Sequence, residues 1–158
     1  MRLLSPCLIA SACLLPALPA GVLAQERVIT KSAGAPVSAA IEAELRKTMT
    51  ANISTTQAED LDAMMRTIHS GSPLYQQTRQ QVSQIFGRGL GLKYELLGVK
   101  YLATDGDYAF GRVRQRTTKT PPAGFRNNEI DMIVAFRQED RTWKIWNQAI
   151  LEIKYLNP

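Results

Sequence analysis

Apolar and polar positions change period about halfway along the chain. From Pro36, the residues Val37, Ile41, Leu45 and Met49 recur every four positions, with Glu42, Glu44, Arg46 and Lys47 mostly on the other side. That spacing predicts one amphipathic helix, and proline suits its first turn. Thr56-Gln57-Ala58-Glu59 fits a capping box and predicts a second helix whose apolar stripe is Leu61, Met64, Met65 and Ile68, ended by Ser70-Gly71. Ser72-Pro73 predicts the start of a third, carrying Leu74, Thr78, Val82, Ile85 and Phe86 and stopped by Gly87, Gly89 and Gly91.

The period then falls to two. Leu92 to Thr104, Tyr108 to Thr118, Glu129 to Arg137 and Trp143 to Tyr155 read as strands. Asp105-Gly106 signals a hairpin, Thr120-Pro121-Pro122-Ala123-Gly124 a loop, and Gln138 to Arg141 a turn. Strands joined by short turns predict an antiparallel meander, and helices followed by a sheet predict an α+β domain.

The chain of 158 residues opens on Arg2 and a mostly apolar stretch from Leu3 to Leu18, interrupted by Pro6 and Pro16. Val22-Leu23-Ala24 supplies modest side chains before a cut that would leave Gln25 first. Residues 1–24 therefore read as a signal peptide, 25–35 as a flexible lead-in and 36–158 as one domain. A membrane anchor is the alternative, disfavoured by the two prolines and the short apolar runs. A lipoprotein signal at Cys13 fits poorly, because Ala10 stands where a bulkier aliphatic residue is expected. Localisation is thus expected to be periplasmic or secreted, with no stable membrane span after removal of the signal.

Cys7 and Cys13 both fall in that segment, so the mature chain would have no disulfide, thiolate metal site or cysteine nucleophile. Removing Arg2 from the 19 basic residues leaves 18 against 14 acidic ones, a mild excess unlike the dense footprint of a nucleic-acid binder. One histidine, His69, and no mature cysteine argue against a transition-metal site. His69 is expected to cap the end of the second helix. Asn52-Ile53-Ser54 fits a glycosylation sequon, relevant only in a eukaryotic secretory pathway.

Several of these features come in an order that resembles the NTF2-like superfamily, specifically its SnoaL-like group. They are the N-terminal helix, the capped Thr56–Ile68 helix, the Ser72-Pro73 start, the strand around Tyr94 and the Gly106-Asp107-Tyr108-Ala109 hairpin. Arg114-Gln115-Arg116-Thr117, Phe125-Arg126-Asn127-Asn128 and Trp143-Lys144-Ile145 complete the set. The resemblance covers about Pro36 to Leu156 and implies a cone of three N-terminal helices packed on a curved antiparallel sheet. It also implies a homodimer through the sheet, as is common in that superfamily. Its enzymes, such as ketosteroid isomerase and scytalone dehydratase, use a pocket acid or base with Tyr or Asp donors, but others are transport factors or association domains, so fold alone does not choose.

Asp131 is the candidate acid or base. Alternation puts it on one face with Ile133 and Ala135. Inside an apolar pocket it would have a raised pKa; facing outward it would pair across to an arginine of the next strand, which is the favoured expectation. Tyr75, Tyr94, Asn147 and Trp146 complete the residues expected to line a pocket, with Asn147 on the face of Trp143 and Ile145, and Trp146 on the opposite one. Arg112, Arg114 and Arg116 share a face with Tyr108 and Phe110, a mixture enriched in interfaces, although the solvent side of a sheet is the favoured expectation.

The expected function is non-catalytic binding of a small apolar ligand or a protein partner by a secreted or periplasmic domain, without cofactor, metal or nucleic acid. The alternatives are an isomerase- or dehydratase-type enzyme using Asp131, and a subunit of an envelope assembly.

Overall fold

The computed structural model describes residues 35–120 and 124–156, with side chains from residue 38 onward. The expected signal peptide and lead-in, both cysteines and Val37's side chain lie outside the described residues. No described helix is long and apolar enough to cross a membrane.

Helix α1 spans Ala35–Gln57, α2 Leu61–Met65 and α3 Tyr75–Phe86. The strands are β1 Leu92–Asp105, β2 Tyr108–Lys119, β3 Asn128–Glu139 and β4 Thr142–Tyr155. They form one antiparallel sheet in the order β1-β2-β3-β4, as a meander requires. The chain is thus α+β, helices first, and each strand lies within a residue or two of the span its alternation predicts.

The helical part departs from expectation between Thr56 and Ile68. Thr56 is in the last turn of α1, where its hydroxyl donates to the Asn52 carbonyl at 2.7 Å, rather than capping a new helix. Glu59 takes φ 54°, a left-handed conformation that breaks the helix. Asp60 is the actual N-cap, accepting from the Ala63 N–H at 2.9 Å. The new helix lasts only five residues. Beyond it, Ile68 bridges Ile145 of β4 in parallel.

The inner face of the sheet holds the core. Ala109, Val113, Met132, Val134, Phe136, Trp143 and Ile145 are buried there with Leu45 and Met49 of α1 and Met64 and Met65 of α2. Gly111 allows α1 to come close: a Cβ there would stand 3.4 Å from Leu45 Cδ1. The Thr48 hydroxyl ties the same helix to the Trp143 carbonyl at 2.6 Å.

Bulges decide which β4 residues face where. Phe136 pairs with Ile145 but Ala135 pairs with Asn147, leaving Trp146 as an extra residue; Leu151 is extra in the same way. Asn147 is therefore opposite Ala135, on the outer face, and does not continue the face of Trp143 and Ile145 as strict alternation predicted.

Candidate interaction face

The even positions of β2 and the odd positions of β3 form the outer face. Arg114 stands opposite Asp131, and Arg116 opposite Glu129. Arginine side chains are long, so the contacts run diagonally as well as across. Arg112 grips Asp131 with two of its three guanidinium nitrogens, Nε donating to Oδ1 at 2.9 Å and Nη2 to Oδ2 at 2.6 Å. Arg116 donates from Nη2 to Glu129 Oε1 at 2.7 Å and from Nη1 to Glu95 Oε2 at 3.0 Å. Arg114 lies 3.5 Å from Glu129. Each arginine of the expected positive ridge thus has a carboxylate partner on a neighbouring strand.

This lattice controls the ionisation of its members. Hydrogen bonds from Arg112, and then its charge, hold the Asp131 carboxyl below its ordinary range despite partial burial. Arg116 does the same to Glu129, assisted by Arg114 and Lys154. Such carboxylates stay ionised at neutral pH and are poor proton acceptors. Between the charged walls, and floored by Gly98, lies an open trough of about 690 Å³ that Lys100, Glu152 and Lys154 also line.

At the β3–β4 end of the same face, Trp146 is the centre of an aromatic and cationic stack. The rings of His69 and Tyr108 meet it edge-on at 4.9 and 5.8 Å, and the Arg137 guanidinium lies 4.8 Å from its centroid. His69 does not sit on a helix end, since α2 stops at Met65. Its N–H donates to the Ile145 carbonyl at 2.9 Å, and its Nδ1 accepts from the Gly71 N–H at 3.0 Å. Beside it, Glu139 accepts from Lys144 Nζ and from the Ser70 hydroxyl. These bonds, Lys144 first, push its carboxyl down to about 2.

The residues expected to line one pocket do not converge. Asp131, Trp146 and Asn147 belong to the outer face. Tyr75 opens α3 and packs on the core, whereas Tyr94 lies against Ile85 and Phe86 at the other end of that helix, about 15 Å of helical rise away. Burial there, and the nearby Glu59 charge, raise the Tyr94 pKa. Asn147 turns its amide oxygen to the Gln148 N–H at 2.7 Å. Tyr108, Phe110 and the three arginines do share one surface. The Glu139–Lys144–Ser70 cluster went unnoticed in the sequence because its members come from the end of β3, the start of β4 and a distant loop. Glu129 was legible, two residues before Asp131 and so on the same face. No three His, Cys, Asp or Glu residues among those described are grouped to hold a metal ion.

Residues 47–156 match the family model described as the anti-sigma-I factor RsgI9, C-terminal domain. Comparison with curated proteins gives no match. Among solved structures, an NTF2-like protein from Pseudomonas putida KT2440 is 14% identical, with 72% of this chain and 87% of that one covered and a TM-score of 0.60. A protein with a cystatin-like fold from Nostoc punctiforme is 11% identical, covering 68% and 87%, with a TM-score of 0.56. An NTF2-like protein from Shewanella oneidensis MR-1 is 12% identical, covering 68% and 96%, with a TM-score of 0.54. The fold is that of the NTF2-like superfamily. The family match overturns the expected function, ligand binding by a secreted or periplasmic domain: it points to a regulatory role of the anti-sigma-factor kind.

Proposed function

The chain belongs to the family of the anti-sigma-I factor RsgI9 C-terminal domain, matched over residues 47–156, and from that premise we propose that it is a regulatory domain in an anti-sigma-factor system. The family match is the observation that carries this reading. The outer sheet face is the proposed regulatory contact surface. It presents Tyr108, Phe110, Arg112, Arg114 and Arg116 on one side of β2, and aromatic and arginine side chains are enriched where proteins meet. The ion pairs hold the arginines in fixed orientation, so a partner meets a preorganised pattern of charge rather than mobile side chains. The low carboxylate pKa of Asp131 suits a standing ion pair and not proton transfer.

The test is transcript profiling of the native host after deletion of the gene. The reading expects a change concentrated in the genes served by one alternative sigma factor, reversed by the wild-type gene. An unchanged transcript profile overturns it. Complementation with Arg112→Glu plus Arg114→Glu addresses the surface: full rescue at normal protein level removes the outer face from the proposal.

A further inference from the structure

The two edges of the sheet are finished differently. Helix α1 covers the edge of β1. Arg46 donates to the Val99 carbonyl at 2.9 Å, Glu42 accepts the Tyr101 N–H at 2.9 Å, and Gln57 takes the Tyr94 N–H at 2.9 Å and donates to the Leu92 carbonyl at 3.1 Å. The first part of β4 is covered as well. Ile145 exchanges two 2.9 Å bonds with Thr67 and His69, and the Ser72 hydroxyl donates to the Trp146 carbonyl at 2.7 Å.

Further along β4 the pattern stops. Among the described residues, no hydrogen bond from another element reaches the outward backbone edge from Ala149 to Tyr155, although the Arg126 guanidinium lies over the Tyr155 ring, 4.1 Å from its centroid. The Leu156 N–H donates to the Asn127 carbonyl on the β3 side at 2.8 Å. Backbone groups alternate sides along a strand, so those of Tyr155 and Ile153 turn outward. Ile150, Ile153 and Tyr155 are 53%, 43% and 45% exposed. A bare edge flanked by apolar side chains is a template for strand pairing.

The sequence along this edge is complementary to itself. Consider a second copy paired antiparallel about a two-fold axis through Ile153. Ile153 then faces its own copy, Leu151 faces Tyr155, and Glu152 faces Lys154 twice over. The outward backbone groups of Ile153 fall at a hydrogen-bonded pair, so Glu152 and Lys154 fall at the closer non-bonded pairs. Both side chains are on the outer face, since Glu152 pairs with Asp131 and Lys154 with Glu129 within the chain. Moving the axis one residue either way sets Glu152 or Lys154 against itself, so charge selects this register.

We propose that the protein forms a symmetric dimer through residues 150–155 of β4 and the adjoining Leu156, joining two four-stranded sheets into one continuous sheet. This contact uses the edge of the sheet and leaves the outer face of each copy open.

Sedimentation velocity of the full chain, with hydrogen exchange at single amides, tests it. The expected result is a dimer at micromolar concentration in which the Ile153 and Tyr155 amides are protected. Lys154→Glu sets like charges opposite each other twice and is expected to weaken the dimer about tenfold or more. The exchange Glu152→Lys with Lys154→Glu restores opposite charges and the dimer with them. Circular dichroism confirms that each variant is folded. A wild-type monomer at every concentration overturns the proposal, as does a dimer insensitive to Lys154→Glu or one not restored by the exchange. Protection of those amides in a monomer also overturns it, since the chain's own residues would then occupy the edge.

Discussion

Arg112 holds Asp131 not straight across the sheet but one step along it. The residue opposite Asp131 is Arg114, whereas Arg112 stands opposite Ile133 and reaches back to bond both carboxylate oxygens. Two cations therefore converge on one carboxylate. Asp131→Asn should lower the urea midpoint only modestly, because the arginine is about half exposed and water screens the pair. The informative readout is pH. The Asp131 pKa is depressed, so its contribution is present above the ordinary aspartate range and fades as pH falls below it. The gap between wild type and variant should be largest near neutrality and close in acid; a gap that persists undiminished at pH 2 contradicts the ion-pair account.

Glu139 gives a sharper window. Its carboxyl stands near 2 against an ordinary value of 4.5. The folded-state value is the lower one, so the stabilisation is complete above about pH 4.5 and is lost as pH falls towards about 2. Both partners are largely shielded, with Lys144 and Glu139 side chains 21% and 20% exposed. Glu139→Gln should therefore cost on the order of 2 kcal/mol at pH 7. Denaturant titrations at a series of pH values check this. An acid limb in the wild type that is equally steep in the variant would assign the effect to other groups.

The strands were legible because a two-residue apolar period depends only on which residues a sheet buries. It located all four to within a residue or two, and put Asp131 with Ile133 and Ala135, which the register also sets on one face. Bulges were not legible: Trp146 and Leu151 carry no residue type that marks an extra position, so the face of Asn147 was misread. The pocket set failed for a different reason. Parity tells which face a residue is on within its strand, but not which end of α3 each tyrosine adjoins. The regulatory family, in turn, is not written in any catalytic or binding motif of the chain.

The β3–β4 turn offers a stabilising change. Asp140 and Arg141 both have positive φ, 52° and 61°, in a two-residue hairpin loop between Glu139 and Thr142. This is the backbone of a type I′ turn, where Asn-Gly is preferred and a long side chain at the second position is strained. Arg141→Gly should raise stability by about 0.5–1 kcal/mol, less the added freedom of glycine in the unfolded chain. Thermal unfolding measures it. A lower melting temperature would mean that the Arg141 side chain makes a contact worth more than the strain.

Thr56 and Asp60 compete in sequence for the same job, and the structure separates them. The Thr56-x-x-Glu59 pattern has the right residue types for a reciprocal cap, but α1 runs through Thr56, whose hydroxyl back-bonds to Asn52. The helix start moves four residues on, to the carboxylate of Asp60 on the Ala63 N–H. Asp60→Ala should then cost about 1 kcal/mol, the usual value for a lost N-cap. Thr56→Ala should cost less than about 0.5 kcal/mol, because a hydroxyl bonded to the carbonyl four residues back adds little to a helix and alanine propagates it better. Urea unfolding of the two variants compares them directly. A larger loss at Thr56 than at Asp60 would restore the capping box and place the start of the second helix inside what is here the last turn of α1.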